Sequence, residues 1–183
     1  MDAAIRTHMD NIYTTDRDAQ NAAYDALMRA SDEHVDWAYE VWDEVPAGLK
    51  HKDNHVRAIA GQLLSGLAKS DPEGRILKYF PVLLEATKDE RFVTARHIMQ
   101  SLWKVGAAGE AQRKVYLDGM KARFAECAAE KNYTLIRFDI SESLRKVYDL
   151  VHDEAIRETA LALIETESDE KYRKKYAAVW KKK

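Results

Sequence analysis

Val56-Arg57-Ala58-Ile59-Ala60-Gly61-Gln62-Leu63-Leu64-Ser65-Gly66-Leu67 is the stretch that decides the fold. Its apolar residues recur at helical spacing, with Val56, Ile59, Ala60, Leu63 and Leu64 on one face. Moving the window along the chain by 80 places lands on Ile136-Arg137, Ile140, Leu144 and Val147, at the places of Val56-Arg57, Ala60, Leu64 and Leu67. A third copy lies between them, with Phe92, Ala95, Ile98, Met99 and Leu102 on the apolar positions. Helical segments that return about every forty residues predict stacked helix pairs, each unable to bury its own apolar stripe without a neighbour.

Working outward, the same periodicity and capping signals divide the rest of the chain into helices. The first covers 2–14. The second covers 17–30, capped by Asp16 or Asp18, with Ala19, Ala22, Ala23, Ala26, Leu27 and Ala30 on a narrow stripe. Ser31-Asp32-Glu33 predicts a cap for a helix reaching Val45 and carrying Val35, Trp37, Ala38, Val41 and Trp42. Pro46 to Lys52 reads as a turn, and Asp53-Asn54 caps helix 54–69. Ser70-Asp71-Pro72-Glu73 opens helix 72–87, which Pro81 bends. Helix 91–105 follows. A break at Gly106 to Gly109 precedes helix 109–130, then come 133–150, 153–166 and a last helix to about Lys181. Connections this short make neighbours antiparallel and leave no linker, so residues 1–183 read as one all-α domain.

Composition bounds the function. Seven Gly and three Pro are too few to punctuate a strand-rich fold. The single cysteine, Cys127, permits no internal disulfide. Neither a secretory signal nor an apolar run of membrane-spanning length is visible, so the expected location is the cytoplasm and no membrane partner is expected. The net charge of −2 hides an asymmetry, because residues 1–50 sum to −7 and residues 171–183 to +7. A near-neutral body with an acidic front disfavours general phosphate binding. The basic end reads either as a contact for nucleic acid or acidic protein, or as cations offsetting the last helix's own dipole.

The stretch Ile76 to Val105, ILKYFPVLLEATKDERFVTARHIMQSLWKV, has Pro81 and Leu83-Leu84 in a first helix, Lys88-Asp89 in a turn and a second helix at once. It resembles a HEAT repeat. Asp53 ahead of Val56-Arg57 matches the family's second half, and Ile136-Arg137 matches it with Asn132 in place of the Asp. The middle copy has Phe92 or Thr94 where the arginine belongs. The resemblance covers 17–166 and implies a right-handed α-α superhelix of about four HEAT-like pairs. It implies that Asp53, Arg57 and Arg137 belong to a ladder joining adjacent units, or else capture a phosphate or carboxylate on the inner face. It also implies that second helices line a concave surface. That surface would carry Arg57, Gly61 and Ser65, then Thr94, His97, Ser101 and Lys104, then Arg137, Ser141, Glu142 and Arg145. Arg57, His97, Lys104, Arg137 and Arg145 are the candidate partner-binding residues, for another protein or a peptide.

Other chemistry is weaker. His51 and His55 lack the third and fourth ligands of a zinc site. Cys127 has no His or Asn partner motif and reads as a core residue. No catalytic residue, metal or cofactor is expected. HEAT-like alkylpurine DNA glycosylases use tryptophans and a carboxylate on the concave face, and Trp42-Asp43 is superficially similar. The acidic segment Asp32 to Glu44 opposes DNA, so Trp37 and Trp42 read as packing anchors, as do Tyr39, Trp103 and Trp180. The expected function is a non-catalytic protein–protein adaptor. DNA binding is the alternative.

Overall fold

The computed structural model describes residues 1–181; Lys182 and Lys183 of the basic end lie outside the described residues. Among the described residues the chain is helical throughout and contains no strand. The helices are α1 (Ala3–Asn11), α2 (Arg17–Ser31), α3 (Glu44–Gly48), α4 (Asn54–Leu67), α5 (Ile76–Ala86) and α6 (Phe92–Ser101). They continue with α7 (Trp103–Ala108), α8 (Glu110–Glu126), α9 (Tyr133–Val151), α10 (Glu154–Glu165) and α11 (Glu170–Val179).

Aspartates start most of the long helices. Asp2, Asp16, Asp53, Asp153 and Asp169 each accept a hydrogen bond from a backbone N–H in the first turn. Each such cap contributes about 1 kcal/mol by meeting a donor that the helix cannot.

The helices form two rows. In the inner row α2 packs on α4, α4 on α6, α6 and α7 on α9, and α9 on α11. In the outer row α1 lies on α2, α3 on α4, α5 on α6 and α8, and α8 on α7 and α10. Between the rows one apolar cluster runs from Met9 to Ala160. Val56, Ile59, Ala60, Leu63 and Leu64 are all buried in the core, as the opening stretch requires.

Pro46 to Gly48, expected in a turn, lie in α3, and three further expectations fail locally. Residues 32–43 do not form the expected helix; they hold only a short 3-10 turn at Ala38–Glu40. Trp37, Ala38, Val41, Trp42 and Val45 are buried all the same. Ser31 is the last residue of α2, and its hydroxyl donates back to the Met28 carbonyl instead of capping a new helix. The following backbone is claimed by other elements. Val35 N–H donates to Ser70 Oγ, and the Tyr39 hydroxyl donates to Asp71. Helix 72–87 starts later than expected, at Ile76, because Gly74 takes φ +69 and the Ile76 N–H is met by Asp71 Oδ2 at 2.7 Å.

The last failure is the helix expected over 91–105. It divides at Leu102, whose N–H reaches the Met99 carbonyl, and a second segment runs on to Ala108. Gly106 therefore breaks nothing. A Cβ there would stand 2.7 Å from the ring of Tyr116, so glycine serves the close approach of α7 to α8.

A ladder of arginines ties successive helices of the inner row. Arg17 meets Asp53 at 2.9 Å. Arg57 forks onto Asp89 at 2.6 and 2.9 Å and also donates to the carbonyls of His51 and Lys52. Arg96 forks onto Asp139 at 2.7 and 2.8 Å. Arg137 donates to Glu167 at 2.7 Å and to the Phe124 carbonyl at 3.2 Å. The middle copy, expected to lack its arginine, thus carries one. Arg96 stands one helical turn beyond Phe92, on the same face.

Two predictions follow from this packing. Tyr116 is fully buried and its hydroxyl is held by Ser143, so it cannot yield to a methyl group at position 106. Gly106→Ala should destabilise by about 1–3 kcal/mol through overpacking, although helix propensity alone favours alanine by about 1 kcal/mol. A urea titration reads the sign, and a gain in stability would refute the close contact. The second prediction concerns acid. Burial by itself raises Asp89, but the Arg57 fork and the Arg91 amide outweigh it and hold its carboxyl below the usual range. Asp53 is likewise lowered, burial being outweighed by the His55 amide and Arg17. Folded-state values below the unfolded ones give stability that is complete above about pH 4 and lost as pH falls through the folded values. Asp89→Asn should cost about 2 kcal/mol at neutral pH and flatten the fall in stability below about pH 4. Urea midpoints of both proteins at neutral and acid pH measure this; parallel profiles would uncouple Asp89 from the acid transition.

Candidate partner-binding groove

The structure sorts the five candidate partner-binding residues into three groups. Arg57 and Arg137 are consumed by the ladder. The Arg137 side chain is only 10% exposed, its carboxylate partner on Glu167 only 1%, and its guanidinium lies 4.5 Å over the Phe124 ring. Charge and aromatic surface enclose it, so it has no face for a partner. Arg57 is equally occupied by four acceptors, and the fork onto Asp89 raises its pKa. Both hold helices together, the ladder role that the resemblance implies beside partner contact.

Arg145 is half-buried at the far end of α9. It pairs with Asp149 at 2.6 Å, donates to the Val179 carbonyl and lies 5.8 Å from the Trp180 ring. It belongs to the α9–α11 joint. His97 and Lys104 are the pair brought together. Both line one depression with Tyr24, Met28, Gln62, Gln100, Ser101 and Trp103.

That depression continues in two directions. Toward the N-terminal end, His97 also borders a hollow with Gln20, Asn21, Tyr24, His55 and Gln62. Here the Tyr24 hydroxyl donates to Gln62 Oε1 at 3.0 Å, and Gln62 donates to the Ala58 carbonyl. Toward the other end, Trp103 and Lys104 enter a depression of about 250 Å³ with Ser31, Asp32, Gly66, Lys69, Ala107, Ala108 and Leu150. The three share walls and make one groove along α2, α4, α6 and α7, ending against α9.

The groove changes chemistry along its length. The His97 section is lined by amides and hydroxyls. The Trp103 section is apolar, floored by Gly66, Ala107 and Ala108 and walled by Trp103 and Leu150. Leu150 is 59% exposed, among the most open large apolar side chains described. Asp32 stands at the rim. Its carboxylate accepts from Lys104 at 2.7 Å, and its carbonyl accepts from Lys69. Lys146 lies 5.8 Å from the Trp103 ring on one side, and Lys104 at 5.9 Å.

Trp103 packs against the core, as expected of an anchor, and its half-buried ring also lines the groove. Trp42 is 1% exposed and packs edge-on to Tyr39, so it cannot cradle a nucleotide. Cys127 is buried, its thiol pushed up by burial, and it donates to the Phe124 carbonyl. His51 accepts from the Asp53 N–H and packs against Tyr13, whereas His55 lies in the groove. Among the described residues no three His, Cys, Asp or Glu side chains gather closely enough to hold a metal ion. Nor is any described helix long and apolar enough to cross a membrane.

No family model matches the chain, and no curated protein matches its sequence. Solved structures do resemble it. One is an engineered protein from the Northeast Structural Genomics Consortium, 14% identical, with a TM-score of 0.60 over 98% of this chain and 78% of the other. A second engineered protein from the same consortium is 14% identical, with a TM-score of 0.53 over 98% of this chain and 47% of the other. At such identity the likeness concerns the helical fold alone.

Proposed function

We propose that the chain is a short right-handed α-α superhelix of HEAT-like helix pairs and acts as a non-catalytic protein-binding adaptor through the inner face. The order of the inner row, α2–α4–α6/α7–α9–α11, supports the superhelix, since the second helix of each pair stacks on the next. The ladder supports the HEAT-like reading, with an arginine of one pair meeting a carboxylate of the following pair. The observation that carries the function is the groove itself. It crosses four helices of the inner row and ends in an apolar depression that no part of the described chain fills.

Nucleic acid is the weaker partner. A groove that follows phosphates needs several free cations. Here Arg17, Arg57, Arg96 and Arg137 are bound to carboxylates at the helix joints, and Lys104 is bound to Asp32. A catalytic reading has no group to begin from: the groove's titratable residues form no nucleophile–base pair.

The test is a photo-reactive amino acid placed at His97 or Gln100 in the groove and, as a control, at exposed Val82 on α5. In the cells of origin, both groove positions should give one shared protein adduct that Val82 does not. Adducts that vanish with nuclease treatment, or identical adducts from Val82, would overturn the proposal.

A further inference from the structure

The Trp103 depression differs from the rest of the groove in a way that bears on what it takes. Its volume of about 250 Å³ falls below the roughly 300–1,000 Å³ of small-molecule sites, which suits side chains better than a ligand enclosed whole. Its floor includes Ala107 and Ala108, whose small side chains let a partner come close, while Gly66 is taken up by its contact with Ser31. The floor supplies almost no hydrogen bonds. Ser31 is its one hydroxyl, and that already donates to the Met28 carbonyl. An extended peptide laid here would leave its own N–H and C=O groups unmet, at a cost of about 1–3 kcal/mol each. A helix meets those groups internally and presents only side chains to the floor.

The rim sets the charge of that helix. Three ammonium groups border the depression: Lys69, Lys104 and Lys146. Asp32 supplies one carboxylate, taken by Lys104. Lys69 binds only the neutral Asp32 carbonyl, and Lys146 has no carboxylate within 4 Å among the described residues. Two ammonium groups beside the apolar floor therefore make no direct ion pair with a carboxylate, although Glu142 and Asp149 stand one turn from Lys146 on α9. Resting on the groove's protein-binding role, we propose that the Trp103 depression seats an amphipathic helix of a partner protein. Its anchor is an aliphatic pair at helical spacing, and its flanks carry carboxylates that meet Lys69 and Lys146. This is groove recognition of a helix face, with charge choosing the partner and hastening the encounter.

A display library of helix-constrained random peptides, panned on the purified chain, tests the idea without a known partner. Enriched peptides should carry two aliphatic residues three or four apart and an excess of Asp and Glu. Ala107→Trp, which fills the floor, should weaken them at least tenfold. Lys146→Glu should weaken them several-fold at low salt and hardly at all in 0.5 M salt, where exposed charges are screened. Circular dichroism and melting of both variants check that the fold is kept; Lys146 is exposed, so its change leaves the core untouched. Enrichment that Ala107→Trp abolishes, but that is basic or lacks helical spacing, rejects this partner class and leaves the groove reading standing. Enrichment indifferent to Ala107→Trp, or none at all, rejects both.

Discussion

A guanidinium withdrawn from water must have its donors met, or it costs several kcal/mol, and this requirement sets how successive inner helices lie against one another. Arg137 and Asp139 lie almost wholly inside, with Glu167 and Asp139 only 1% and 3% exposed. A carboxylate so enclosed has few alternatives to the arginine of the neighbouring pair. The apolar stripes alone would permit α6 to slide along α9; the Arg96–Asp139 fork admits one register. Arg123 extends the same constraint to the outer row, fully buried and bound to Thr87 and Glu130.

The ladder also decides what the groove can be. The arginines of the inner row turn into the joints, so the open surface is left with amides, small residues, one tryptophan and lysines. Electrostatics there is local: Asp32 holds Lys104 and Lys69 at the mouth of the apolar depression, while Lys146 makes no direct ion pair with a carboxylate.

Much of the fold was legible in the sequence because its signals are local. Asp53 caps the helix it was expected to cap, Asp16 is the one of two candidates that caps α2, and α4 follows the opening stretch residue for residue. What was not legible depends on contacts distant in sequence. Arg96 escaped a register tied to Arg57 because the pairing tolerates a shift of one turn. The apolar spacing of Val35 to Val45 matches a helix, yet Ser70 and Asp71 on the next connection hold that segment in irregular form. Of the candidate residues, His97 and Lys104 line one depression. Arg57 and Arg137 stand where the ladder needs them, and a motif that marks a joint does not mark a binding face.

The two segments where helical periodicity misled are neighbours in space. The end of α2 contributes Ser31 and Asp32 to the Trp103 depression, and the break between α6 and α7 contributes Trp103, Lys104, Ala107 and Ala108. Ser101 sits at that break, its hydroxyl oxygen within hydrogen-bond distance of both the Ile98 carbonyl and Ser65 Oγ of α4. The division at Leu102 leaves Trp103 and Ala107 lining one depression with Gly66 and Leu150. Regular stacking makes the core and the joints. The apolar end of the groove exists because the stacking is interrupted on both of its sides, and local sequence–structure disagreement of this kind tends to mark working surface.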